Sequence, residues 1–267
     1  MKQLIILLFL ALLPLSAQSI KAGYDVSFGL VGEIGKAEIM YQHDEDSYII
    51  YVHAWTTGMP ALLTQNREED YISQGQIIDG TLRPDVFVKH RKNDHYTKSN
   101  VHIFDYNNKQ VIAHYSKEKK VSGTRFDPIR MKNLKVEETV FENSQSKFRF
   151  FTENDLLSLF FNTQKLFPTL KDGDSKQFSA IGSKSPNCEI DIEVPNKELR
   201  QELQAVMGEI DGQLLTIVLH QNIFQSERGE LHVNFDHDGL AKDVLLKDVI
   251  LFGDIRGRRV YQELSAN

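Results

Sequence analysis

"YIIYVHAWTTGMPALLTQNREEDYISQGQII", residues 48–78, sets two alternating patterns on either side of an apolar connection marked by Gly58 and Pro60. Side chains of a strand alternate between its faces, so Ile49, Tyr51, His53 and Trp55 share one face and Tyr48, Ile50, Val52 and Ala54 the other. After the charged turn "QNREED" a second run, "DYISQGQII", resumes the period of two. Two such runs joined by a turn predict an antiparallel pair. Gly58 and Pro60 predict a break in regular structure, with "TTGMPALL" forming a corner at the rim of the sheet. Met59, Leu62 and Leu63 then either fold inward as the edge of the core, the preferred reading, or line an apolar lip beside a ligand.

The same period extends in both directions. "YDVSFGLV", "GKAEIMYQ", "LRPDVFVKHRK", "HYTKSNVHIFDY" and "KQVIAHYSK" alternate, separated by turns such as "HDEDS", "DGT", "ND" and "NNK". These are signals of consecutive hairpins. Pro84 lacks an N–H for a ladder, so it predicts an edge, a bulge or the first residues of its strand. The stretch "EETVFENSQSK" (137–147) reads as a loop insertion. Strands return with "QLLTIVLHQNIF", "GELHVNFD", "LAKDVLLKDVILFG" and "RGRRVYQEL".

One helix interrupts this pattern over 152–167. Thr152 is its expected N-cap, Glu153 and Asp155 suit the first turn, and Pro168 ends it. Leu156, Leu157, Phe160, Phe161 and Phe167 recur at helical spacing and Leu159 widens the stripe. Each is worth roughly 1.5–3 kcal/mol when buried, so the helix must lie against the sheet. A more polar helix, 196–208, reads as peripheral. No repeat, low-complexity linker or shift in composition divides the chain. The expected fold is mainly β: a single large curved antiparallel sheet, a half-barrel or open barrel, wrapped around one apolar helix. So long a sheet must curl to manage its edges.

Residues 1–19 read as a leader, with Lys2 as the charged start, "LIILLFLALLPL" as the apolar run, and cleavage after Ser19, or after Ala17 as second choice. The apolar run is short for a membrane span, and no cysteine near the cleavage region offers a thiol for acylation. Residues 20–267 are then one exported β-rich domain, periplasmic or secreted, with no transmembrane anchor after processing and 196–208 as a helical insertion. Without Lys2 the balance is 30 basic to 37 acidic residues, a net −7. That is a poor match for phosphate backbones, so no nucleic-acid partner is expected. The islands "KEKK" (117–120) and "RGRR" (256–259) have acidic neighbours and read as solvated turns or edges.

Candidate chemistry is sparse. In "NFDHDG" (234–239), Asn234, Asp236, Asp238 and Gly239 match the opening of a calcium loop. Its twelfth position is Leu245 rather than Glu, and its flanks alternate as strands, so a hairpin turn is expected. The nine histidines lack His-x-x-x-His spacing, and His53, His114 and His220 sit in apolar alternation. The single cysteine, Cys188, lies beside Glu189 in "NCEIDIEV" and reads as a buried small side chain. No nucleophile elbow occurs, and Gly29, Gly32 and Gly35 join strands without opening a helix.

"GEIGKAEI", "TTGMPALL" with its charged turn, "GTLRPDVFVKHRK", "LKDGDSKQFSAI" and "FDHDGLAKDVLLKDVILFGDIRGRRV" occur in an order that resembles the bacterial domain-of-unknown-function 3108 family of exported envelope proteins. The resemblance covers approximately residues 24–262, apart from the polar helix. It implies a curved antiparallel sheet about a helix, similar in shape to periplasmic lipoprotein carriers, and carries no catalytic residues. The expected function is that of a periplasmic, non-enzymatic protein holding or transferring an apolar or amphiphilic ligand, a lipid or acyl chain. The candidate ligand-binding residues are Tyr51, Trp55, Met59, Leu62, Leu63, Leu156, Phe160 and Phe161. No catalytic residue, metal or cofactor is expected. The alternatives are an envelope scaffold or assembly factor with a protein partner, and a hydrolase with an unrecognised site.

Overall fold

The computed structural model describes residues 18–167, 171–220, 229–249 and 253–266. The body of the expected leader and the expected helix stop at Pro168 lie outside the described residues. Eight strands come first: β1 (Gln18–Phe28), β2 (Gly32–His43), β3 (Ser47–Thr56), β4 (Glu68–Ile78), β5 (Thr81–Lys92), β6 (Tyr96–Asp105), β7 (Gln110–Asp127) and β8 (Lys132–Lys147). Six follow: β9 (Ser175–Ser179), β10 (Glu189–Glu193), β11 (Gln213–Val218), β12 (Glu230–Phe235), β13 (Ala241–Val249) and β14 (Gly253–Ala266). The helices are α1 (Gly58–Thr64), α2 (Leu156–Leu166) and α3 (Lys197–Met207).

All fourteen strands form one open sheet in the order β8-β7-β6-β5-β4-β3-β2-β1-β14-β13-β12-β11-β10-β9, and its neighbouring pairs are antiparallel. Two meanders therefore meet where β1 pairs with β14. The connection from β8 to β9, which carries α2, links one outer edge to the other. A chain segment that must join both edges of a curled sheet is drawn across its concave side. This is the curved sheet around a helix that the alternation predicts.

Four local expectations change. Residues 137–147 are no loop insertion but most of β8, paired with β7 from Ile112↔Lys147 to Asp127↔Lys132. Their polar alternation on an exposed edge hides the strand from a reading based on apolar periodicity. The segment after β3 is not a broken corner but a short helix, α1. Pro60 sits in its first turn, where no N–H is needed, and Gln65 closes it in the left-handed region at φ 62°. Met59, Leu62 and Leu63 are 68%, 70% and 80% exposed, so they form an outward lip and not the edge of the core. Helix α2 starts three residues later than expected, because Asp155 and not Thr152 is the N-cap: its side chain accepts from the Leu157 and Ser158 amides, and its backbone N–H donates to Ser158 Oγ. The Thr152 hydroxyl instead donates to the Ser179 carbonyl, tying the strap before α2 to β9.

Helix α3 is capped by Asn196 and buries Leu203 and Met207 against Leu214 and Leu245. Leu214 neighbours Leu215, which faces the concave core, so α3 covers the outer face of β11–β13. It is amphipathic and half-exposed on the outside of the sheet, as a peripheral helix.

Pro84 lies at a bulge, opposite Gly75, as one of the three sequence options predicts. A Cβ on Gly75 would lie 2.0 Å from the Arg83 carbonyl oxygen, a backbone atom that cannot swing away. Gly75→Ala should therefore cost about 1–3 kcal/mol through overpacking. A lowered denaturant midpoint with unchanged slope is the expected reading.

Candidate functional site

The concave face has an apolar region, filled by α2, and a basic region. In the first, Leu159 is fully buried with Ile190, Ile192, Leu215, Ile217, Val233 and Phe235 on the β10–β12 arm. Leu157 and Phe161 reach the other arm, against Tyr48, Ile50 and Leu82. Polar anchors fix the helix between the arms. The Asn162 side chain accepts from the Leu82 amide and donates to the Leu82 carbonyl, each at 2.9 Å. Pairing of β5 with β6 begins only at Val86, so Asn162 supplies the bonds that a neighbouring strand would make there. Asp155, fully buried, accepts from Ser73 Oγ at 2.6 Å, and Ser73 bonds the Tyr48 hydroxyl at 2.9 Å. Burial pushes the Asp155 carboxyl up to about 6, against the pull of its hydrogen bonds.

The basic region contains a cavity of ≈ 190 Å³. Register builds it: Phe87, Lys89 and Arg91 alternate on β5 and face His102, Asn100 and Lys98 on β6. Phe148, after β8, and the loop residues Gly182, Ser183 and Lys184 complete the lining. Four cationic side chains, Lys89, Arg91, Lys98 and Lys184, thus surround one small space. The nearest acid is Glu69 on β4, which pairs with Arg91 at 2.9 Å and with Arg67, lies 3.9 Å from Lys89, and accepts from the Tyr71 hydroxyl at 2.5 Å. Burial pushes the Glu69 carboxyl up, but the Tyr71 hydrogen bond and the charges of Arg67, Arg91 and Lys89 outweigh it and hold it low. Burial lowers Lys89 to about 8, with Arg91, Lys184 and Arg67 adding to the repulsion, and burial also lowers His102. Arg91 Nε and His102 Nδ1 are buried without a hydrogen-bond partner among the described residues. A half-desolvated cationic cluster with unspent hydrogen-bonding groups suits a phosphate or carboxylate.

The eight residues singled out from the sequence do not share a surface. Tyr51 and Trp55 lie on the face opposite Tyr48 and Ile50, outside the core. There the Tyr51 hydroxyl and His53 Nδ1 bond Asp70 at 2.7 and 2.8 Å, and His53 stacks on Trp55. Met59, Leu62 and Leu63 project from α1. Leu156 and Phe160 pack on the β10–β12 arm, and Phe161 turns to the other arm. Of the eight, Leu156 and Phe160 share a cluster, and there they serve as packing. Sequence alone does not single out the basic residues, although alternation carried along β5 past Phe87, and along β6, marks their positions.

The other motifs resolve locally. "NFDHDG" is the β12–β13 hairpin: Asp236 Oδ1 accepts from the Asp238 and Leu240 amides at 2.9 and 3.0 Å, and Gly239 has φ 78°. Cys188 is buried, its thiol pushed up by burial. His102 faces the cavity, whereas His90 and His114 point to the opposite side of their strands, and buried His232 bonds Thr216. Among the described residues no three His, Cys, Asp or Glu side chains converge as a metal site, and no helix is long and apolar enough to cross a membrane.

An open antiparallel sheet curled about one helix, with a polar cavity on its concave side, defines a class of helix-filled half-barrels. This chain belongs to the family described as "Protein of unknown function (DUF3108)", whose model matches residues 23–253. Among solved structures it is similar to a beta-barrel-like protein of domain of unknown function DUF1849 from Brucella abortus. The identity is 12%, coverage is 92% of this chain and 98% of that one, and the TM-score is 0.36. No curated protein matches the chain.

Proposed function

We propose that this is an exported, non-enzymatic envelope protein that holds an anion-bearing ligand, such as an amphiphile with a phosphate or carboxylate head, in the basic cavity. The observation that carries this reading is the convergence of Lys89, Arg91, Lys98 and Lys184 on ≈ 190 Å³ of space. A wholly apolar ligand would need room between α2 and the sheet, where Leu157, Leu159 and Phe161 already pack. The cavity suits a head group rather than a chain, since drug-sized pockets run to about 300–1,000 Å³.

Titration of the purified protein with inorganic phosphate, a short-chain phosphatidic acid and a short-chain fatty acid tests this and separates a free anion from a lipid head. Removing two charge-assisted contacts in Lys89→Ala/Arg91→Ala should weaken binding by at least about tenfold. Because Lys89 titrates at about 8, affinity should fall between pH 7 and pH 9 as that charge is lost. Absence of binding, or affinity unchanged in the double variant, refutes the cavity. Ligand recovered chemically unchanged supports a non-enzymatic role; turnover opposes it. Osmotic-shock fractionation with intact mass tests export. Strand β1 takes Gln18 and Ser19 into pairing with both β14 and β2, so cleavage after Ala17 would leave it whole.

A second reading rests on the edge strand β8, which spans 16 residues and pairs on one side only among the described residues. An exposed edge can accept a strand from a partner protein. Crosslinking in cells that recovers one dominant partner at β8 would favour this assembly role.

A further inference from the structure

Strand β7 leaves the sheet. Its pairing with β6 ends at Tyr96↔Lys119, yet its pairing with β8 continues to Asp127↔Lys132. Residues 120–139 are therefore a two-stranded ribbon extending beyond the β5–β6 turn, to which Lys120 is tied by its amide on the His95 carbonyl at 2.9 Å. Eight residues of strand carry its tip about 26 Å from that point. Such a ribbon is marginal by itself in water.

The composition of the tip is unlike the rest of the chain. Phe126, Ile129 and Met131 are 54%, 92% and 77% exposed, gathered around the turn. Within the ribbon Lys120, Arg125, Arg130, Lys132 and Lys135 flank them on both strands, and the three acids are Asp127 beside the turn and Glu137 and Glu138 at the base, next to the sheet. This cationic segment belongs to a chain of net charge −6. Exposed apolar side chains on a convex tip do not fit a flat protein face. They do fit the interfacial layer of a bilayer, where the tip enters and long basic side chains behind it reach lipid phosphates.

We infer that the β7–β8 ribbon is a docking element for an anionic lipid surface. It is independent of the cavity reading, since Lys89 and Arg91 lie on β5 within the sheet. The tip residues have little buried contact to lose, so substitutions there leave the fold intact, which thermal melting verifies.

Flotation of the purified protein with phosphatidylcholine vesicles, with and without phosphatidylglycerol, tests the inference. Binding should require phosphatidylglycerol, decline with added salt, and be lost in Ile129→Asp/Met131→Asp. Neutralising Lys132 or Lys135 to Gln should weaken it about fivefold each, which is ~1 kcal/mol per basic residue near an anionic bilayer. Arg91→Ala should float as the parent does, so that failure of the cavity and failure of the ribbon are told apart. Equal binding to both vesicle types, no binding to either, or undiminished binding of Ile129→Asp/Met131→Asp overturns the inference.

Discussion

Asp155→Ala is expected to destabilise the protein by about 3 kcal/mol, the sum of a lost helix cap (~1 kcal/mol) and buried donors left without an acceptor (~1–3 kcal/mol). The orphaned groups are the Leu157 and Ser158 amides and the Ser73 hydroxyl, all of which donate to this carboxylate. Asp155→Asn should cost far less, because an Asn oxygen caps equally well and its amide can face Ser73 Oγ as a donor. The two variants also part with pH. The carboxyl sits at about 6 in the folded protein against 3.8 as its ordinary value, so between those limits the folded state holds the proton and the unfolded state does not. Stability from this group is thus present below about 4 and is lost as pH rises through 6. Asp155→Asn has no such dependence and should gain on the parent between pH 4 and pH 7. Denaturant midpoints of both proteins at those two pH values check it; a difference that stays constant would mean the carboxyl is not buried as described.

Leu159→Ala should cost about 2–5 kcal/mol, the range for deleting a large aliphatic side chain from a core that relaxes only in part. Leu159 is fully buried where α2 meets the β10–β12 arm, and its neighbours Ile190, Ile192, Leu215 and Ile217 are fully buried too. Strands held by long ladders cannot collapse freely into the gap, so a dry apolar void should remain. Such a void takes up small apolar molecules, and a fluorescent apolar probe should bind the variant and not the parent. A cost under about 1 kcal/mol would mean that α2 is not packed in the concavity. Space for an apolar ligand would then exist in the native protein.

Much of this architecture was legible because its signals are local. Strict alternation in "YIIYVHAW" and its neighbours depends only on which face of each strand is wet, and the apolar stripe of 156–167 only on its own period. Pro84 announced an irregularity because a residue without an N–H cannot sit in a regular ladder. Where the structure departs from the sequence pattern, the reason lies in tertiary surroundings. Strand β8 carries few apolar residues since it is an exposed edge and ribbon, so it has no buried face to betray it. The cap falls at Asp155 and not Thr152, where Ser73, from a strand 82 residues away, donates its hydroxyl to the carboxylate. Leu62 and Leu63 suit either a core edge or a lip by sequence, and the seven-residue helix that carries them buries none of its residues.

The candidate site was less visible. Lys89 and Arg91 read as ordinary strand charges until register sets them beside Lys98, Asn100 and His102, and until the loop after β9 brings in Lys184. What the sequence determined by itself was the mainly β class, the hairpin succession, the position of the central helix to within a turn, and the acidic balance of the chain. Only the tertiary structure decided which residues face inward, that α2 fills the apolar hollow, and that basic side chains line a cavity beside it. Periodicity is a property of neighbours in sequence, while a cavity is a property of residues joined by curl and register. Those come from the balance of many long-range contacts, and no short stretch records that balance.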